Sequence, residues 1–170
     1  MVIGGQAVLL YGTSRLTQDI DVTLGVGAEE FARVVQSLGP LKLDCLTPEP
    51  KNFVRDKMVL PLRDPSTGFR VDLMFTHSFS TYERQALVRA RQVAVGKTMV
   101  RYISPEDLVI HKIIAGRPRD LEDVKGILLK NPEVNRKEIK DWLVKFGQDQ
   151  AIDYLERFQE IDKRLEEIPG

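Results

Sequence analysis

From Asp19 to Leu24 polar and apolar residues alternate, the two-residue period of a half-buried strand. Phe31, Val34, Val35 and Leu38 instead recur at i, i+3, i+4 and i+7, one face of a helix that Gly39-Pro40 should end. Ahead of both, Val2 to Gly4 predicts a short buried strand, and Gln6 to Tyr11 one or two helical turns. Residues 41–56 carry no clear period; a short strand and a helical turn both fit. Met58 to Arg63 predicts a strand, and Pro61 within it, lacking an N–H, favours an edge or a bulge. After the turn at Asp64-Pro-Ser-Thr-Gly68 comes the clearest strand, Phe69 to Phe75. It sets Phe69, Val71, Leu73 and Phe75 on one face, and Arg70, Asp72 and Met74 on the other.

A helix is expected from about Thr81 to Ala90. Gln92 to Val95 and Thr98 to Ile103 flank Gly96-Lys97 as a hairpin. Ser104-Pro-Glu-Asp107 is a strong helix start, with serine as N-cap, proline next and acids in the first turn. From there the pattern is helical throughout. Leu121, Val124 and Leu128 mark one helix. Asn135 to Glu138 can cap another that carries Ile139, Trp142, Leu143 and Phe146. Ile152, Leu155, Phe158, Ile161 and Leu165 mark the last. The order predicts an α+β (α/β) fold: a small mixed β-sheet with flanking helices over residues 1–103, then a C-terminal helical region, 104–170, packed on it.

With 170 residues the chain can hold one domain with a real core, or a small domain with a helical appendage. Hydrophobic residues at 42% and charged residues at 29% mark a soluble globular protein and exclude a disordered one. No apolar run is long enough to span a bilayer, so no membrane partner is expected. Met1 leads directly into an apolar strand and leaves no secretory signal. Cys45 is the single cysteine, so no intrachain disulfide forms; both features fit a cytoplasmic protein. Cys45 reads as a buried, inert thiol, and with His77 and His111 it has no zinc spacing. The 25 basic and 25 acidic residues cancel, so net charge gives no support for broad nucleic-acid binding.

The candidate chemistry lies in three carboxylates. Residues two apart in a strand share a face, so Asp19 and Asp21 project together while Ile20 and Val22 face the core. Like charges side by side on a sheet repel, and a cation between them relieves it; Mg²⁺ or Mn²⁺ suits an all-oxygen site. Asp72 interrupts an apolar strand. If that strand pairs with the first, Asp72 completes a cluster suited to two metals, as in polymerases and nucleases. Gly4 and Gly5, ahead of a helix start, let backbone N–H groups come close to a phosphate.

Gly4-Gly5, thirteen residues, Asp19-Ile20-Asp21-Val22 and then Val71-Asp72-Leu73 resemble the signature of the DNA polymerase beta-type nucleotidyltransferase superfamily. His111-Lys112 through Arg117-Pro-Arg119-Asp120-Leu-Glu-Asp123-Val resembles the Lys…Arg-Asp-x-x-Asp segment of the bacterial abortive-infection toxin-like nucleotidyltransferases and their uncharacterised relatives. The resemblance implies transfer of a nucleoside monophosphate from an NTP to a hydroxyl, with release of pyrophosphate. It implies that Asp19, Asp21 and Asp72 bind the metals, with Asp72 helping to deprotonate the acceptor. Gly4 and Gly5 would hold the triphosphate, Arg15 and Thr17 would touch phosphate, and Lys112 would contact the nucleotide. Asp120 and Asp123 match the second-half motif without a defined role. Such relatives usually carry a helix before the first strand. Its absence here would expose one side of the sheet and favour a homo-oligomer.

Each residue also has a plainer reading. Asp19 and Asp21 could be solvated acids at a strand end. Asp72 could pair with Arg70, which is compatible with metal binding. Lys112 could lie on the polar side of an amphipathic helix whose core face is Val109, Ile110, Ile113 and Ile114. Asp120 and Asp123 could cap their helix or pair with Arg117 or Arg119. The acceptor class stays open between RNA ends, protein side chains and small molecules, as does a toxin role with an antitoxin partner. Two rivals stand beside the enzyme: a catalytically weak nucleotide- or partner-binding module of the same fold, and a two-metal phosphohydrolase.

Overall fold

A computed structural model of the protein describes residues 1–14, 16–77, 80–150 and 152–167. Its strands are β1 (Val2–Ile3), β2 (Asp19–Thr23), β3 (Asp44–Cys45), β4 (Val59–Arg63), β5 (Arg70–Met74), β6 (Arg91–Val95) and β7 (Thr98–Tyr102). Its helices are α1 (Gly4–Tyr11), α2 (Phe31–Leu38), α3 (Pro50–Lys57), α4 (Thr81–Arg89), α5 (Pro105–Ala115), α6 (Pro118–Lys130), α7 (Arg136–Gln150) and α8 (Tyr154–Glu166). Two compact units emerge: Met1–Gln6 with Leu16–Ile103, and Ala7–Arg15 with Ser104–Gly170.

The first unit holds all seven strands in one mixed sheet, ordered β3-β4-β5-β2-β1-β7-β6. β2 runs parallel to β5 and β1 parallel to β7; the remaining neighbours are antiparallel. Ile20 pairs with Val71, Val22 with Leu73, and Leu60 with Leu73, so one face of the central strands is apolar. There Val54, Leu60, Leu62, Leu73 and Phe75 form a buried core, and Phe31, Val34 and Leu38 of α2 pack against it. Burying each of the five core side chains contributes about 1.5–3 kcal/mol. By alternation, Asp19, Asp21, Arg70 and Asp72 are left to the opposite face.

Several expectations shift. α1 begins at Gly4 rather than Gln6. Val35, placed on the apolar stripe of α2, is 43% exposed, because Phe31, Val34 and Leu38 suffice to reach the core. Cys45 is exposed, not buried, because β3 is the outermost strand of the sheet. Pro61 sits in β4, between β3 and β5, and not on an edge strand. Its carbonyl accepts from Leu46 N at 2.9 Å, beyond the two-residue β3. A residue's N–H and C=O point to the same side of a strand, so the missing donor is absent from the β3 side and costs the pairing with β5 nothing.

In the second unit α5 packs against α6, α7 and α8. Ser104 caps α5, accepting from Asp107 N at 3.1 Å and donating to Asp107 Oδ2 at 2.8 Å. Gly116 ends it with φ +63°, a conformation that favours glycine, and Pro118 opens α6 two residues later. At the far end of α6, Lys130 Nζ donates to Gly12 O and Asn131 Nδ2 to Tyr11 O, both at 2.7 Å, which satisfies carbonyls at the end of α1. Asn135 Oδ1 caps α7, accepting from Glu138 N at 3.1 Å. Ile139 and Leu143 are fully buried, whereas Trp142 and Phe146 are only partly so. α8 buries Tyr154, Phe158 and Ile161; Ile152, expected on its stripe, precedes it and is exposed. Among the described residues no helix is long and apolar enough to cross a membrane.

Candidate active site

β2 and β5 lie side by side in a register that pairs Asp21 with Asp72 and Asp19 with Arg70. The four side chains share one face, giving a two-by-two array of three carboxylates and one guanidinium. Arg70 Nε donates to Asp72 Oδ1 at 2.9 Å. The hydrogen bond to Asp72 raises the Arg70 pKa above its ordinary value; partial burial opposes this, and the charges of Asp72, Asp19 and Asp21 add to it. The charged row continues outward: Arg63 of β4 lies beside Arg70, and Asp44 of β3 beside Arg63. Pro61 flanks Asp72 on the β4 side.

The start of α1 meets this array. Gly4 adopts φ +61°, and a Cβ there would run into the Asp21 carboxylate. A Cβ on Gly5 would come within 2.6 Å of Thr17 Oγ1. The backbone of the first helical turn therefore lies directly against Asp21 and Thr17, an approach only glycine permits. Thr17 Oγ1 also faces Asp19 O, at a long 3.4 Å. Gly4→Ala is expected to cost about 1–2 kcal/mol from its backbone conformation alone, and to push the Asp21 carboxylate aside. Thermal melting should show the loss, and divalent-metal titration should show weakened binding; unchanged metal binding would mean that the Gly4 cradle is not part of the site.

The donor set suits a divalent metal in kind. It is all carboxylate oxygen, two of the residues are direct register neighbours, and Gly4 lets the backbone of α1 lie against the Asp21 carboxylate. The three carboxylates are not gathered around one point: among the described residues no group of three or more His, Cys, Asp or Glu is placed to hold an ion. Asp72 is engaged by Arg70, and Asp19 is exposed at the start of β2.

The second-half motif forms a different construction. Lys112 is only 6% exposed, and its Nζ lies 2.7 Å from Asp120 Oδ1 and 2.8 Å from Asp123 Oδ2. Arg117 Nε reaches Asp120 Oδ2 at 2.5 Å from the exposed side. Lys112 is thus neither on a solvated helix face nor presented to solvent; it joins α5 to α6 inside the second unit. The readable signal was the Gly116 stop and Pro118 restart, which folds α6 back so that Lys112 meets the first turns of α6. Burial pushes the Asp120 pKa up, but hydrogen bonds and charges from Arg117 and Lys112 outweigh it, and the net shift is downward. A carboxylate depressed in the folded state stabilises fully above its unfolded value, near 4, and loses that contribution as pH falls through the folded value. Urea unfolding between pH 5 and 2 is therefore expected to show stability falling, with a shallower fall in Asp120→Asn.

Of the residues singled out in the sequence, Gly4, Gly5, Thr17, Asp19, Asp21 and Asp72 come together in the first unit. Lys112, Asp120 and Asp123 come together in the second. Arg15 lies outside the described residues.

Residues 1–165 match a protein family described as "Nucleotidyltransferase of unknown function (DUF6036)". Among solved structures, an antigenic nucleotidyltransferase-like protein from Paracoccidioides brasiliensis is similar, with a TM-score of 0.53 and 18% identity, over 88% of this chain and 79% of that one. At such identity the likeness is one of fold. No curated protein matches at a significant level.

Proposed function

Because the chain belongs to that family of nucleotidyltransferases, we propose that it transfers a nucleoside monophosphate from an NTP to a hydroxyl acceptor, releasing pyrophosphate. The observation that carries this reading is the Asp21–Asp72 register pair with the glycine backbone of α1 against it. Asp19, Asp21 and Asp72 would hold a divalent cation, Mg²⁺ or Mn²⁺. When bound, the metal supplies positive charge that acidifies the acceptor hydroxyl and offsets charge on the leaving pyrophosphate. Gly4 and Gly5 offer backbone N–H groups to the triphosphate, Thr17 stands beside them, and Arg15 belongs to the same segment. Asp72 would receive the acceptor proton. Lys112, Asp120 and Asp123 act in this reading by fixing α5 on α6 rather than by touching nucleotide.

RNA ends, protein side chains and small molecules all remain acceptors of this chemistry. A toxin acting against its own cell, held by an antitoxin, is one biological setting for it. A cytoplasmic location and a homo-oligomer belong to the same proposal. Calorimetry with each of the four NTPs, with and without Mg²⁺, tests the site. Magnesium-dependent binding that disappears in D19N/D21N is expected, followed by pyrophosphate release when acceptors are supplied. Binding without pyrophosphate release from any acceptor class would favour a nucleotide-binding module. Release of inorganic phosphate would favour a phosphohydrolase.

A further inference from the structure

We propose that Arg70 is the resident counter-ion of the carboxylate face and competes with the divalent metal for Asp72, so that the metal binds fully only when the guanidinium leaves. This rests on the metal-dependent reading above. Three features of the array carry it.

The first is position. Arg70 is a register neighbour of Asp19 and lies two residues before Asp72 on the same face, so it is a cation built into the array. Without it, Asp21 and Asp72 would stand as adjacent like charges on neighbouring strands. The second is engagement. The 2.9 Å contact takes Asp72 Oδ1, an oxygen that a metal would need. Among the described residues the three carboxylates are not gathered around one point, and Asp72 is the one of them held by this guanidinium. The third is exposure. The Arg70 side chain is 48% exposed and Asp72 16%. A half-exposed bridge contributes little, so water can take the guanidinium back at small cost. The Lys112 bridges, with side chains 4–8% exposed, are closed to such exchange. One ion pair is sealed into the fold, while the other is left where it can open.

Three carboxylates against one guanidinium leave the face with a formal charge of −2, so it still attracts a cation with Arg70 in place. Arg70 thus keeps the metal-free face tolerable and raises the metal concentration needed to organise it.

The test uses Mn²⁺ alone, titrated calorimetrically into the full chain, its R70Q and R70K variants, and D72N. R70Q is expected to bind Mn²⁺ about 2- to 5-fold more tightly than the wild type, the gain that removing a weak, half-exposed competing bridge allows. D72N should bind more weakly. In EDTA, R70Q should melt below the wild type, and D72N added to R70Q should recover the loss, because the adjacent like charges are gone. If R70Q does not fold, R70K carries the comparison: its ammonium keeps the charge but not the Nε geometry, and Mn²⁺ affinity should still rise. Equal or weaker Mn²⁺ binding by R70Q and R70K, with wild-type binding intact, overturns the competition and leaves the proposed function standing. Absence of Mn²⁺ binding in every protein overturns both.

Discussion

Asp72→Asn is expected to lower nucleotidyl transfer by three orders of magnitude or more while leaving the fold intact. In the proposed reading the substitution removes an anionic metal ligand and the group that would receive the acceptor proton. Each such role is worth several kcal/mol in the transition state, and about 1.4 kcal/mol is tenfold in rate. Stability should barely move. The Arg70–Asp72 bridge is half-exposed on its arginine side and of small worth, and losing the Asp72 charge also relieves repulsion from Asp21, its register neighbour. The measurement is pyrophosphate release under saturating NTP and metal, beside a thermal melt of the same preparation. A folded D72N protein that transfers nucleotide at the wild-type rate would falsify the three-carboxylate assignment.

Lys112→Met should show the opposite signature, a large loss of stability. Removing the amine leaves Asp120 and Asp123 facing each other in a buried setting. Breaking a buried pair by deleting one partner costs about 3–5 kcal/mol, because the remaining charge loses its buried counter-ion. Arg117 still reaches Asp120 but is itself largely exposed, so its compensation is incomplete. Adding D120N and D123N to K112M should recover part of the loss, since uncompensated charge is what costs most. Urea unfolding of the single and triple variants gives the numbers. NTP affinity measured on the folded single variant separates this from the phosphate contact that the family motif implies for Lys112. Wild-type stability with weakened NTP binding would return Lys112 to the nucleotide.

The carboxylates and the lysine were not equally legible in the sequence. Asp19-x-Asp21 and Asp72 stood out because each interrupts or alternates with apolar residues in a strand, and a two-residue period assigns faces without knowledge of partners. Ser104 was equally plain, since a cap acts through the backbone of its own turn. The stretch 41–56 was not, because β3 and α3 are short and owe their form to pairing with β4 and to burial of Val54. Cys45 and Pro61 were misjudged for a related reason: burial and edge position belong to the sheet order, not to the strand.

Lys112 shows the boundary most clearly. Its helix reads as amphipathic, and a lysine beside isoleucines there is ordinarily solvated. What buries it is the return of α6 across α5, which brings two carboxylates from eight and eleven residues ahead. The periodic elements, the Ser104 and Asn135 caps and the shared face of Asp19 and Asp21 are legible along the chain, because they follow from local geometry. That Asp21 stands beside Asp72 and that Lys112 is sealed in follow instead from how the elements meet. Both are contacts between separate elements, and their energies depend on register and burial that no local pattern contains.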